Sequence, residues 1–157
     1  FNYEISMELS KIQELWDKDS QLDQTESANS ISKASGDTSV LHAKYFRILS
    51  DERLRLRQFE IQVKERTALL WKYYSRMPLD DDEMEQLNID PIEKEKRILK
   101  EQIRYFIDAD KELLKLQTKI EYQKEKVDFL ESILKMLNNR TFQIKNIIEW
   151  KKFIAGM

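Results

Sequence analysis

Bulky apolar residues recur along this chain at steps of three and four, the spacing that lines side chains up on one face of an α-helix. Ile5, Leu9, Ile12 and Trp16 follow it and predict a short amphipathic helix over residues 3–16. The rhythm then lapses. Between Asp17 and Val40, Ser27, Ser30, Ser32, Ser35 and Ser39 alternate with other small or polar residues, and too few large apolar groups remain to bury, which predicts a linker over 17–40. It resumes with Tyr45, Leu49, Leu56, Phe59, Val63, Leu70 and Tyr74, with Glu52 and Thr67 filling the gaps, and predicts a helix over 41–76. Met77-Pro78 stops it, because proline has no N–H to donate and pushes the preceding residue out of helical geometry. An acidic loop is predicted over 77–91.

The longest pattern follows Pro91, a favourable first-turn residue. Leu99, Ile103, Phe106, Ala109, Leu113, Leu116, Ile120, Gln123, Val127, Leu130, Leu134 and Leu137 keep the alternation of a coiled-coil seam and predict one helix over 92–137. Asn138-Asn139-Arg140-Thr141 interrupts it, and Thr141 can cap a new helix over 141–155 that carries Phe142, Ile144, Ile147, Ile148, Trp150, Phe153 and Ile154. A helix of the third segment's length would be a rod of roughly 70 Å, far longer than a compact chain of this size is wide. Folding the 41–76 helix back on that rod covers one seam. The expectation is therefore a single all-α domain: a long helical hairpin with a coiled-coil-like seam, a short N-terminal helix and a C-terminal helix that needs a partner and drives self-association.

Composition agrees with helices and removes most chemistry. Two glycines and two prolines occur in 157 residues, and 36% of positions are charged. There is no cysteine, so no disulfide or thiolate site. His42 is the only histidine, and its place at a helix start suits packing or capping. Asp108 and Asp110 stand two apart and face different sides of a helix, so they do not form a catalytic carboxylate pair. Asp80-Asp81-Asp82-Glu83 lacks the glycine turn and terminal Glu of a calcium loop, and no phosphate-binding glycine loop exists. No cofactor, no metal and no enzymatic activity are expected. No apolar run reaches the roughly 18 residues that span a bilayer, and no signal-peptide layout opens the chain, so no membrane partner and a cytoplasmic location are expected. The chain opens on Phe1 rather than Met, as a numbering begun inside a longer sequence would.

The net charge of −2 conceals strong segregation. Residues 42–76 hold nine bases against four acids, whereas 77–93 hold seven acids and no base. Arg53, Arg57 and Lys64 share one side of the basic helix, Arg55 and Arg66 flank a second line, Lys44 precedes them, and Trp71, Lys72, Tyr73 and Arg76 mix bases with rings. Cations interleaved with aromatics suit single-stranded nucleic acid, because cations displace counterions from phosphates and ring faces accept unstacked bases. The plainer alternative is that these bases solvate a helix or pair with the acidic segments.

Several blocks carry a resemblance: Trp16-Asp17-Lys18-Asp19-Ser20, Leu41-His42-Ala43-Lys44-Tyr45, Tyr73-Tyr74-Ser75, Asp108-Ala109-Asp110-Lys111, Ile120-Glu121-Tyr122, Phe129-Leu130-Glu131, Asn139-Arg140-Thr141-Phe142-Gln143-Ile144-Lys145-Asn146, Ile148-Glu149-Trp150 and Phe153-Ile154-Ala155-Gly156. In this order they resemble the UvsY family, recombination mediators of T-even-type phages and their cyanophage relatives. The resemblance implies single-stranded DNA binding and a ring-shaped homo-oligomer of about six or seven subunits joined through C-terminal helices. It also implies two protein partners in an infected bacterial host, the phage recombinase and the phage single-strand-binding protein, with the mediator loading the first onto strands coated by the second. Relatives often have proline where this chain has Val40 and glycine where it has Arg76, and a T-even relative carries bases at the positions of Ala68 and Leu70. Two other readings fit the composition: a coiled-coil structural adaptor without nucleic-acid binding, and a helical virion or scaffold component.

Overall fold

The computed structural model describes residues 7–21, 28–90 and 98–156, with the side chains of 28–30 excepted. Among them the regular structure is entirely helical: α1 (Leu9–Asp19), α2 (Ala28–Tyr74), α3 (Asp81–Leu87), α4 (Ile103–Asp108) and α5 (Lys111–Ile154). The described chain forms two compact units. The first unit takes residues up to Arg53 and from Glu125 onward, and the second takes Leu54–Lys124. The hairpin of long helices forms, with α2 and α5 paired within each unit.

In the first unit the predicted stripe is buried through Tyr45 and Leu49 on α2 and Val127, Leu130 and Leu137 on α5, with Ile133 beside them. Burying each such side chain contributes roughly 1.5–3 kcal/mol. Two polar residues sit within this apolar seam: Lys126 Nζ meets Glu52 Oε2 at 3.0 Å with both side chains almost wholly buried. Two cations of α5 also hold α1 by its backbone ends, Lys126 Nζ donating to the Met7 carbonyl at 3.1 Å and Arg140 Nη1 to the Asp19 carbonyl at 3.3 Å. Between these ends Ile12 is buried, and Trp16 meets the Tyr45 ring edge-on at 5.5 Å.

The second unit has its own core, Leu70, Tyr73, Leu87, Ile103, Ile107 and Leu113, with Val63, Leu69, Tyr74, Leu79, Met84, Ile89 and Ile98 packed around it. Here α2 ends in a Schellman turn. Met77 N–H reaches back to the Lys72 carbonyl, Arg76 N–H to that of Tyr73, and Arg76 takes the left-handed conformation at φ 57°.

Four predicted boundaries are corrected. The N-terminal helix starts at Leu9, while residues 3–6 lie outside the described residues. The Ser-rich stretch is helical from Ala28, because Ala34 and Thr38 continue the seam of Tyr45 and Leu49 toward the N-terminus with small side chains. Thr38 Oγ1 satisfies itself on the Ala34 carbonyl at 2.7 Å, so a hydroxyl can be buried there. The acidic loop contains α3, nucleated by a capping box in which Asp80 accepts from Glu83 N–H and Glu83 from Asp80 N–H. The first-turn acids Asp81, Asp82 and Glu83 also face the positive end of that helix.

The last correction concerns the rod. Its predicted start, residues 92–97, lies outside the described residues, and the chain breaks at Ala109-Asp110 between α4 and α5. Asp110 is the cause: its Oδ1 accepts the Leu113 N–H at 3.2 Å, an N-cap that starts α5 anew. At the other end no break occurs at 138–141 and Thr141 caps nothing, since α5 runs on to Ile154. Neither glycine nor proline interrupts it, and Leu137, buried Arg140 and buried Ile144 carry the seam across. Leu99 and Phe106, predicted seam members, are exposed.

Candidate nucleic-acid interface

The candidate strand-binding residues divide sharply once their partners are known. In the first unit Lys44 Nζ lies 2.6 Å from Asp19 Oδ2, which also accepts from the Tyr45 hydroxyl at 2.9 Å. Burial alone would raise the Asp19 carboxyl, but the hydrogen bonds from Lys44 and Tyr45 and the Lys44 charge outweigh it and hold the group below its usual range. The same burial, with Asp19 beside it, pushes the Tyr45 phenol upward. Arg53 Nη2 pairs with Glu131 Oε1 at 2.5 Å, with both ends partly in water.

In the second unit Arg66 is a strut. Its Nε and Nη2 meet the two Asp110 oxygens at 2.7 Å each, and it reaches the Gln86 and Leu87 carbonyls at 3.4 Å. Only 14% of the Arg66 side chain and 7% of the Asp110 side chain are exposed. Hydrogen bonding to Arg66 holds the Asp110 carboxyl low despite its burial, and hydrogen bonding to Asp110 raises the guanidinium in turn. Arg66 thus fixes the cap of α5 to α2 and the end of α3, with little surface left for a strand. Tyr73 is also committed, since its ring is buried and its hydroxyl donates to the Asp90 carbonyl. Lys72 Nζ pairs with Glu83 at 2.5 Å, which links the basic helix to the acidic segment. Arg55 is half-buried, and Arg76 is exposed at the end of α2.

The remaining candidates gather on the opposite face of α2. Leu54, Arg57, Ile61, Lys64, Ala68 and Trp71 recur at alternating steps of three and four, and all six are exposed. No carboxylate occurs in this set, and Arg57 and Lys64 make no ion pair among the described residues. Trp71 leaves 46% of its surface in water. The signal lies in the sequence, but the apolar Leu54 and Ile61 interleave with the bases on this outer stripe and mask it. By contrast, an open cleft of about 930 Å³ is lined by four acids, Glu65, Asp90, Asp110 and Glu112, against two bases, Arg66 and Lys111, a balance that disfavours phosphate.

Among the seven predicted assembly residues, Ile144 is buried within the chain, while Phe142, Ile147, Ile148, Trp150, Phe153 and Ile154 are exposed on the last turns of α5. Trp150 stacks on Phe153 with centroids 5.8 Å apart. His42 stacks on Phe46 at 6.3 Å, a packing role. No helix among the described residues is long and apolar enough to cross a membrane.

The family model described as "Recombination, repair and ssDNA binding protein UvsY" matches residues 15–157. The chain belongs to the UvsY family. UvsY proteins are non-enzymatic mediators of recombination and repair that bind single-stranded DNA. The chain is 29% identical over 154 residues to the recombination protein uvsY of Enterobacteria phage T4, covering 96% of this chain and 99% of that one. Two crystal structures of the bacteriophage T4 recombination mediator protein UvsY resemble it. One, in lattice type II, gives a TM-score of 0.76 at 25% identity over 95% of this chain and 98% of that chain. The other, in lattice type IV, gives 0.73 at 24% identity over 94% and 99% and bears on the fold alone.

Proposed function

We propose that this UvsY-family chain holds single-stranded DNA along the outer face of α2, on Arg57, Lys64 and Trp71, and presents the strand to a recombinase. One observation carries the reading: an exposed row of Arg57, Lys64 and Trp71 whose two cations make no ion pair among the described residues, in a chain whose total charge is negative. Phosphates displace counterions at Arg57 and Lys64, while Trp71 offers a ring to an unstacked base. Lys44, Arg53 and Lys72 contribute only by leaving their carboxylate partners, and such exposed pairs are worth little.

The exposed apolar end of α5 supports closure of several copies into a ring of about six or seven, which would gather many weak α2 faces onto one strand. Spreading the strand over such a ring loosens the coating single-strand-binding protein, and the ATP-dependent recombinase then loads on the freed segment. Oligothymidylate is expected to quench tryptophan emission of the wild-type protein. Trp71→Phe should keep most of the affinity, since phenylalanine also stacks, and lose that quench. A quench of unchanged size in Trp71→Phe would move the strand elsewhere. A coiled-coil adaptor without nucleic-acid binding would show no quench at all.

A further inference from the structure

We propose that α4 supplies a second stacking platform for the strand, formed by Tyr105 and Phe106 and anchored to the end of α2 within the second unit. The inference rests on strand binding at α2 and adds residues that lie on a different element. Tyr105 exposes 79% of its surface, more than any other large apolar or aromatic residue among those described. Such a ring gains nothing for the fold where it stands, because its hydrophobic area stays in water.

Its neighbour Phe106 is 43% exposed and stacks on Tyr74, with centroids 5.3 Å apart and planes 29° from parallel. Tyr74 lies one helical turn beyond Trp71 on α2. Tyr74 is half-buried against the second unit's core, so its contact ties Phe106, and with it the exposed Tyr105, to the last turn of α2, close in sequence to Trp71. Cations accompany them: Lys100 is exposed, and Arg104 is almost fully in water, with only a 3.7 Å contact to Asp108 across one helical turn. A pair so long and so wet opens at little cost when a phosphate competes.

Glu101 and Asp108 are also exposed here, so the patch has no net positive charge to recruit a polyanion alone. Its contribution should come from stacking, with α2 providing the attraction. This division fixes the experiment. Full-length protein is cross-linked by ultraviolet light to an oligothymidylate carrying 5-iodouracil, and the joined peptides are mapped. Oligonucleotide affinity is measured in parallel for wild type, Tyr105→Ala and Tyr105→Trp.

Adducts are expected at Tyr105 or Phe106 as well as at Trp71. Tyr105→Ala should weaken binding about fivefold or more, as loss of one stacking partner does, without changing the salt dependence, and Tyr105→Trp should restore affinity. Adducts on α2 alone, with Tyr105→Ala binding like wild type, would overturn the α4 platform and leave the α2 reading intact. No binding or cross-linking by wild type would remove both. A Tyr105→Ala protein that binds DNA normally but no longer captures the recombinase or the coating protein would mark a protein-docking patch and also overturn the proposal.

Discussion

Arg66 shows how a residue's chemistry is decided by what the fold brings to it. A guanidinium on a basic helix invites a phosphate, but Asp110 arrives from the start of α5 and takes both of its donating edges. Asp110 also caps α5, so the pair and the cap have to be separated experimentally. Asparagine caps nearly as well as aspartate, and Asp110→Asn therefore removes the charge while sparing the cap. Leaving Arg66 unpaired should cost about 3 kcal/mol, read as a lower urea midpoint at neutral pH. The native Asp110 carboxyl titrates below its unfolded value of 3.8. The unfolded chain thus takes up the proton first as pH falls, and the pair's contribution, complete above that value, drains away through the acid range. The gap between wild type and Asp110→Asn should accordingly close on acidification. A gap independent of pH would mean that the ion pair contributes nothing.

At the scale of elements, the buried stripe from Tyr45 to Leu70 was legible because bulky side chains marked it at helical spacing. The stretch from Ala28 to Val40 was not, because its seam is built of Ala34 and Thr38, which a count of large apolar residues overlooks. The break before α5 escaped for the reverse reason. Apolar periodicity ran across it, while the cause lay in a capping aspartate anchored by a residue 44 positions away. Nor could the commitment of Tyr73 be read, since the Asp90 carbonyl reaches it only through the fold. Arg76 stands where the backbone favours glycine. The residue sits left-handed at the end of α2, a conformation that costs an ordinary side chain roughly 1 kcal/mol. Arg76→Gly should raise the stability of the second unit by about that amount, measured by urea unfolding. A loss of stability would show that the arginine side chain's own contacts outweigh the strain.

At the scale of the whole molecule, folding leaves unexplained, besides the α4 rings, the exposed row of Arg57, Lys64 and Trp71 on α2 and the apolar end of α5. The second concerns assembly. Phe153 is 74% exposed and packs only on Trp150 among the ring contacts described. Phe153→Asp would bury a carboxylate in any hydrophobic junction between copies, at a cost of several kcal/mol. It is expected to give smaller species in sedimentation velocity with unchanged helicity, and retention of the wild-type mass would place the junction elsewhere.

The first surface concerns the strand itself, and its most direct test is the salt dependence of oligothymidylate affinity in wild type and in Arg57→Glu/Lys64→Glu. Both side chains are exposed and outside the core, so the variant should fold normally. Wild-type affinity should fall steeply with salt, and the variant's log–log slope should be shallower by roughly 0.7 for each phosphate that is no longer neutralised. Parallel lines for the two proteins would contradict a strand lying on α2.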